Sequence, residues 1–275
     1  MRGEFVDLGG TRIYYYAAGT RGGGDPVVFL HGFPGSSHSW RQMISLMPEG
    51  RRLVVVDLMG FGRSDFGFEH SAPPRLSDHV ELVRQLLDDL SISKAAIVGH
   101  GIGGTIAQSI AVSHPDRVSA LCLCSCPAFG IWPHRLARMA RLVAPGGRLF
   151  GPAMLASFVH GSAIRGYADH EAGRRSLDVS LRAYPARLGV DALTAQLALQ
   201  RDAEIVGIGA RLTTIDVPTA VVWGERDPFL PVSLGERLAA AIPGATIDLL
   251  PDARHFINED APEQCVRVAA TLLSR

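Results

Sequence analysis

An aspartate and a histidine in the last fifth of this 275-residue chain are the side chains best suited to moving a proton. Asp227 follows an apolar run in "VVWGERDPFLP", and His255 follows another in "LLPDARHFINEDAPE". A histidine exchanges protons near neutral pH, and a carboxylate bonded to its ring fixes the tautomer and stabilises the cation. Each residue alone has a plainer explanation, Asp227 as a turn acid before proline and His255 as a hydrogen-bonded loop residue. A third stretch gives the pair something to act on. "AAIVGHGIGGTIAQ", residues 95–108, has the Gly99-x-Gly101-x-Gly103 spacing of the strand-turn-helix that presents a nucleophilic serine in G-x-S-x-G. Here glycine stands where the serine belongs.

Such residues need a frame, and the hydrophobic pattern supplies one. "DPVVFLHGF", "RRLVVVDLMGFG", "KAAIVGHG", "VSALCLCSC", "TAVVWGERD" and "ATIDLLPDA" are short apolar runs that end in turns. Between them, "LSDHVELVRQLLDDLSI", "GGTIAQSIAVSHP", "VSLGERLAAAIPG" and the terminal "APEQCVRVAATLLSR" carry apolar residues at helical spacing. The alternation predicts an α/β fold with a mainly parallel sheet covered by helices. "TRIYYYAAG" reads as an antiparallel edge strand and "RGGG" at 21–24 as a hairpin loop. From about Phe129 to Arg211 the rhythm breaks, and "WPHRLARMARLV", "PAMLASFVHG", "RRSLDVSLRAY" and "DALTAQLALQRDAEIV" all read as helix. The expected organisation is a core of residues 1–128 and 212–275 with a helical lid over 129–211.

Composition narrows the classes of function. Apolar residues make up 47% and charged residues 20%, which fits a globular chain with a large core. Lys+Arg and Asp+Glu are both 27, and no basic cluster interleaves with aromatics, so nothing favours nucleic acid. The most apolar stretch, "VSALCLCSCPAFGIW", is too short to span a bilayer, and "MRGEFVDLGGTRIYYY" lacks the apolar core of a signal peptide. The expectation is a cytoplasmic protein with a small-molecule substrate and neither nucleic acid nor membrane as partner. Cys122, Cys124 and Cys126 alternate along one run and are expected to share a strand face as buried core residues. Their spacing suits neither disulfides nor zinc, and no H-E-x-x-H, Walker or dinucleotide fingerprint occurs, so neither a metal nor a cofactor is expected.

Four motifs in order, "HGFPGSSHSW", "DLMGFGRSD", "GHGIGG" and the Asp227–His255 pair, carry a resemblance. The chain resembles the α/β-hydrolase superfamily, particularly its lidded esterase, epoxide-hydrolase and dehalogenase group, nearly end to end and least in the lid. The resemblance implies the α/β-hydrolase fold, and an oxyanion hole made by the N–H of Phe33 and the N–H of Ile102 at a helix N-terminus. It implies that position 101 holds Ser, or Asp where epoxides or halides are attacked, and that Asp227 and His255 are the triad's acid and base. Asp57, Gly60, Gly62 and Ser64 match a turn with a structural role, and His100 reads as a packed elbow residue. Substrate contacts are expected from Phe33, Trp40, Trp132, Phe150, Phe158 and Tyr184. The few charges in "FGPAMLASFVHGSAI" point to a neutral, rather apolar substrate.

Gly101 leaves three readings open. The first is an enzyme that works without a covalent intermediate. Glycine adopts the elbow backbone cheaply, and the vacated volume suits about one water, whose liquid share is ~30 Å³. His255 then acts as base, with the N–H groups of Phe33 and Ile102 stabilising an oxyanion. The substrate is a small, largely apolar carbonyl- or epoxide-type compound, and the reaction a hydrolysis, lyase or cyclisation step. The second reading is a Ser or Asp hydrolase inactivated at position 101. The third is a ligand-binding protein on the same scaffold.

Overall fold

The apolar runs become the middle of an eight-stranded sheet in a computed structural model that describes residues 3–20, 23–65, 74–131, 152–182 and 204–274. β3 (Val27–Leu30), β5 (Ala95–His100), β6 (Val118–Cys124) and β7 (Thr219–Gly224) lie side by side in parallel and are almost wholly buried. A parallel strand covered by helices on both faces has no solvent side, so it reads as an unbroken apolar run. β8 (Thr246–Leu250) continues the parallel set at one edge. On the far side of β3 come β4 (Leu53–Val56), parallel to it, then antiparallel β2 (Thr11–Ala18) and β1 (Glu4–Leu8).

Two expectations change here. The edge strand is β1, and β2 is interior, because the mostly exposed "EFVDL" offers too few apolar positions to announce a strand. β2 pairs with β4 and not with β3, so the connection from β2 to β3 is a crossover and not a hairpin; of residues 21–24, 21 and 22 lie outside the described residues.

Successive strand residues point to opposite faces, and the core divides accordingly. Val28, Leu30, Leu121 and Leu123 face α2 (Leu76–Asp89), α3 (Ile102–Ser113) and α7 (Val232–Ala241). Val27, Phe29, Cys122 and Cys124 face α1 (Arg41–Leu46) and α9 (Pro262–Leu273), the latter preceded by the short α8 (Ile257–Asp260). Cys126 does not share the face of Cys122 and Cys124. β6 ends at Cys124, Ser125 takes φ 37°, and the break in alternation sends Cys126 to the α3 side, where Gln108 Nε2 donates to its sulfur at 3.3 Å.

Between β6 and β7 the described residues form α4 (Pro152–Ala163), α5 (His170–Arg182) and α6 (Glu204–Gly209), with an isolated bridge between Ala128 and Ile131. Trp132, Phe150 and Tyr184 lie outside the described residues. No described helix is long and apolar enough to cross a membrane.

Candidate active site

The site begins at the end of β5. Gly101 follows His100 with φ 54° and ψ −125°, and α3 starts at the next residue. Side-chain-bearing residues rarely adopt that positive φ, whereas glycine does so freely. The turn is pinned on both sides, since Gly101 N donates to Cys124 O at 3.1 Å and Gly101 O accepts from Gly104 N at 3.0 Å. α3 also needs a glycine at its start, because a Cβ on Gly103 would collide with the carbonyls of Leu30 and His31.

A Cβ built on Gly101 would lie 3.9 Å from Phe33 N, 4.0 Å from His255 Nε2 and 3.2 Å from Gly32 Cα. The point where an elbow side chain would begin is therefore bordered by the loop after β3 and the loop after β8. Ile102, at the first turn of α3, adds the adjacent amide. Among the described residues no acceptor takes the N–H of Phe33 or of Ile102.

The imidazole is oriented from behind. His255 Nδ1 lies 2.8 Å from Asp227 Oδ2, and Asp227 Oδ1 accepts from Phe229 N at 2.8 Å and Leu230 N at 3.0 Å. The Asp227 side chain is 0% exposed and that of His255 9%. An ionised carboxylate can only accept, so Nδ1 carries the hydrogen, and in the neutral ring the lone pair is on Nε2, 4.0 Å from the point where a Cβ on Gly101 would stand.

His100 is more than elbow packing. Its Nε2–H donates to the carbonyl of His255 at 3.0 Å, with the two ring centroids 5.0 Å apart. Burial first, then the neighbouring His255, holds its pKa well below the usual histidine range, so it stays neutral. The sequence marked His100 only by its place beside Gly101.

The turn bearing Phe33 is braced by the motif around Asp57. His31 Nδ1–H donates to Gly32 O at 2.9 Å, and His31 Nε2 accepts from Leu58 N at 3.1 Å. Burial is the main cause that lowers the His31 pKa, so that neutral tautomer persists. Asp57 accepts from Ser37 N at 2.5 Å and Arg63 N at 2.9 Å, which ties the loop after β4 to the loop after β3.

The walls near the imidazole are aromatic, with Phe229 and Phe256 edge-on to His255 at 5.2 and 5.3 Å. Phe33, partly buried, meets Phe61 edge-on at 6.4 Å. Trp40 is a core residue: it enters α1, is fully buried, and packs edge-on to Phe29 at 5.3 Å on the sheet face opposite Phe33 and Ile102. Phe158 is half-buried on α4. Among the described residues no group of three His, Cys, Asp or Glu side chains is placed to hold a metal ion.

Epoxide hydrolase 3 of Xenopus tropicalis is 29% identical to this chain over 96% of its length and 75% of its own. Haloalkane dehalogenase 2 of Mycobacterium bovis is 28% identical over 99% of this chain and 94% of its own length. In three dimensions the chain is similar to the enol-lactonase from Burkholderia xenovorans LB400, with a TM-score of 0.81, 22% identity, and coverage of 99% and 100% of the two chains. That last likeness speaks to the fold. The alpha/beta hydrolase fold profile matches residues 25–262, and the chain belongs to that family.

Proposed function

We propose that this protein is an enzyme acting on a small, largely apolar carbonyl- or epoxide-type compound through non-covalent base catalysis. The observation that carries the reading is the position of the missing Cβ. A base nitrogen and a backbone N–H lie 4.0 and 3.9 Å from a point that no described side chain occupies. The group that takes that place is then a water molecule or an atom of the substrate.

In this mechanism His255 Nε2 removes a proton from the water or from a carbon or hydroxyl of the substrate. Asp227 stabilises the imidazolium through its bond to Nδ1. Negative charge collects on a substrate oxygen facing the N–H groups of Phe33 and Ile102, which are preorganised and cost no rearrangement. The start of α3 adds its positive end to the same point. The proton then returns from Nε2 to the product, which closes the cycle without an added group. Hydrolysis, C–C cleavage and cyclisation all use this sequence and differ in which bond the oxyanion breaks or forms. The edge-on Phe229 and Phe256 favour an apolar substrate.

The test is a panel of esters, lactones, epoxides and 1,3-dicarbonyl compounds incubated with the protein and read by mass. The expected result is turnover of at least one class, lost in His255→Ala. Full activity in His255→Ala overturns the role of the histidine. Tight binding of a compound recovered unchanged favours a ligand-binding protein instead. An inactive protein that neither binds nor converts the panel favours a hydrolase disabled at position 101.

A further inference from the structure

His255 is held partly by residues of the segment between β6 and β7. The amides of both His255 and Phe256 donate to one carbonyl, Gly166 O, at 2.9 and 3.0 Å. Gly166 is kept there by its neighbours. The Tyr167 ring stacks on Phe256 at 4.1 Å between centroids, and Ala168 N donates to Asp260 Oδ1 at 3.0 Å. Asp260 Oδ2 accepts from Arg254 N at 2.9 Å, immediately before His255.

The hub of this clasp is Glu259. Its carboxylate is 4% exposed and accepts from three separate elements. Tyr167 O–H donates to Oε1 at 2.9 Å, while Ser176 Oγ on α5, at 2.6 Å, and Arg41 Nη1 on α1, at 2.5 Å, donate to Oε2. Burial, then the Glu259 carboxylate, keeps the Tyr167 hydroxyl far above its usual pKa, so it remains a donor. A ring of contacts thus runs from His255 through Gly166 and Tyr167 to Glu259, and back along α8 to Phe256. Removing the carboxylate would leave the buried hydroxyls of Tyr167 and Ser176 without this acceptor, which is costly, and would unpair the partly exposed Arg41.

We propose that Glu259 is a positioning residue that clamps Gly166 and Tyr167 onto the histidine loop, so that the aim of His255 Nε2 at position 101 depends on the segment between β6 and β7. The proposal rests on His255 being the base, but its test is read on the whole protein without substrate. Amide exchange at His255 and Phe256 is compared with exchange in β5 by NMR, together with the low-field resonance of the His255 Nδ1–H. Glu259→Ala should speed exchange at both amides about tenfold or more relative to β5 and broaden the Nδ1–H signal. Glu259→Gln, whose carbonyl still accepts from one or more of the donors, should restore most of the protection.

A residue that only stabilises the fold would lower the melting temperature and leave the relative exchange and the Nδ1–H signal unchanged, and that result overturns the proposal. If Glu259→Ala does not fold, Tyr167→Phe removes one of the three donors and should loosen the same two amides. A native protein whose turnover survives His255→Ala would refute the catalytic reading, whereas the exchange result alone decides the clasp.

Discussion

Restoring a hydroxyl at the elbow is the most direct test of the site's geometry. A Cβ at position 101 lies 4.0 Å from His255 Nε2. A serine Oγ, one C–O bond further out, can therefore close to within the ~2.6–3.2 Å that a nucleophile–base hydrogen bond needs. The same Cβ lies 3.2 Å from Gly32 Cα, tight enough that the loop after β3 must yield slightly, and the backbone φ of 54° is one that serine resists. Holding a non-glycine residue there costs roughly 1–3 kcal/mol. At about 2–4 °C per kcal/mol for a chain of this size, the melting temperature should fall by roughly 2–12 °C.

Gly101→Ser should thus be less stable than the parent and should form a covalent adduct with a fluorophosphonate. It should also hydrolyse a simple activated ester. Gly101→Ala carries the same strain without the hydroxyl, so it should lose as much stability and form no adduct. Adding His255→Ala to Gly101→Ser should abolish labelling. Two outcomes would refute the reasoning. Unchanged stability in both variants means that the backbone has relaxed out of the elbow. The expected loss of stability with no adduct means that Nε2 does not face the new hydroxyl.

The other expectations follow from burial and charge. His79 is fully buried, and both of its ring nitrogens lack a partner among the described residues. Burial, the largest cause, lowers its pKa to about 4. The folded protein refuses a proton until about pH 4, while the unfolded chain takes one near 6.5. Stability should therefore fall as pH drops through that window, by roughly 3 kcal/mol; urea unfolding of His79→Leu should show a flatter pH dependence and, at pH 7, stability at or above that of the parent. Asp227→Asn should lower turnover of any converted compound on the order of 10²–10⁴-fold in steady-state assays, because the imidazole loses its tautomer and its counter-charge. All four cysteines are free and buried, and burial pushes the Cys126 thiol up to about 12, so a chromogenic disulfide reagent should find none at neutral pH in the native state and four in denaturant.

What could be read ahead from the sequence depended on range. Strands β3 to β8 and helices α2, α3, α7 and α9 announce themselves because their burial is a matter of local periodicity. β1 and α1 do not, the first because it is mostly exposed, the second because six residues give no period to detect. The Asp227–His255 pairing was legible only as chain order after strand ends, and the 2.8 Å bond is a property of the sheet that sets those ends side by side. Trp40 carries no mark that separates a core indole from a pocket wall. Nothing local marks Glu259 or Gly166 either. Glu259 meets its partners from positions 83, 92 and 218 residues away, and Gly166 takes its hydrogen bonds from a loop almost ninety residues further on.

The intact Asp227–His255 pair does not by itself demand catalysis. A fully buried carboxylate must be satisfied, and two loop amides plus an imidazole satisfy Asp227 whatever the protein does. His255 is likewise fixed by bonds that are structural in kind, from His100 and to Gly166. The other ring nitrogen is different. Nε2 lies 4.0 Å from the point where a Cβ on Gly101 would stand, which is 3.9 Å from the amide of Phe33 and one residue before the amide of Ile102, neither of which is taken by a described acceptor. Stability gains nothing from holding a base nitrogen and an untaken amide beside a space that no described side chain enters. A reacting oxygen or a water in that space would use both, and in the proposed mechanism the Ile102 N–H as well. The reading as an active enzyme therefore rests on the direction of Nε2, and Gly101 is the residue that keeps the space in front of it open.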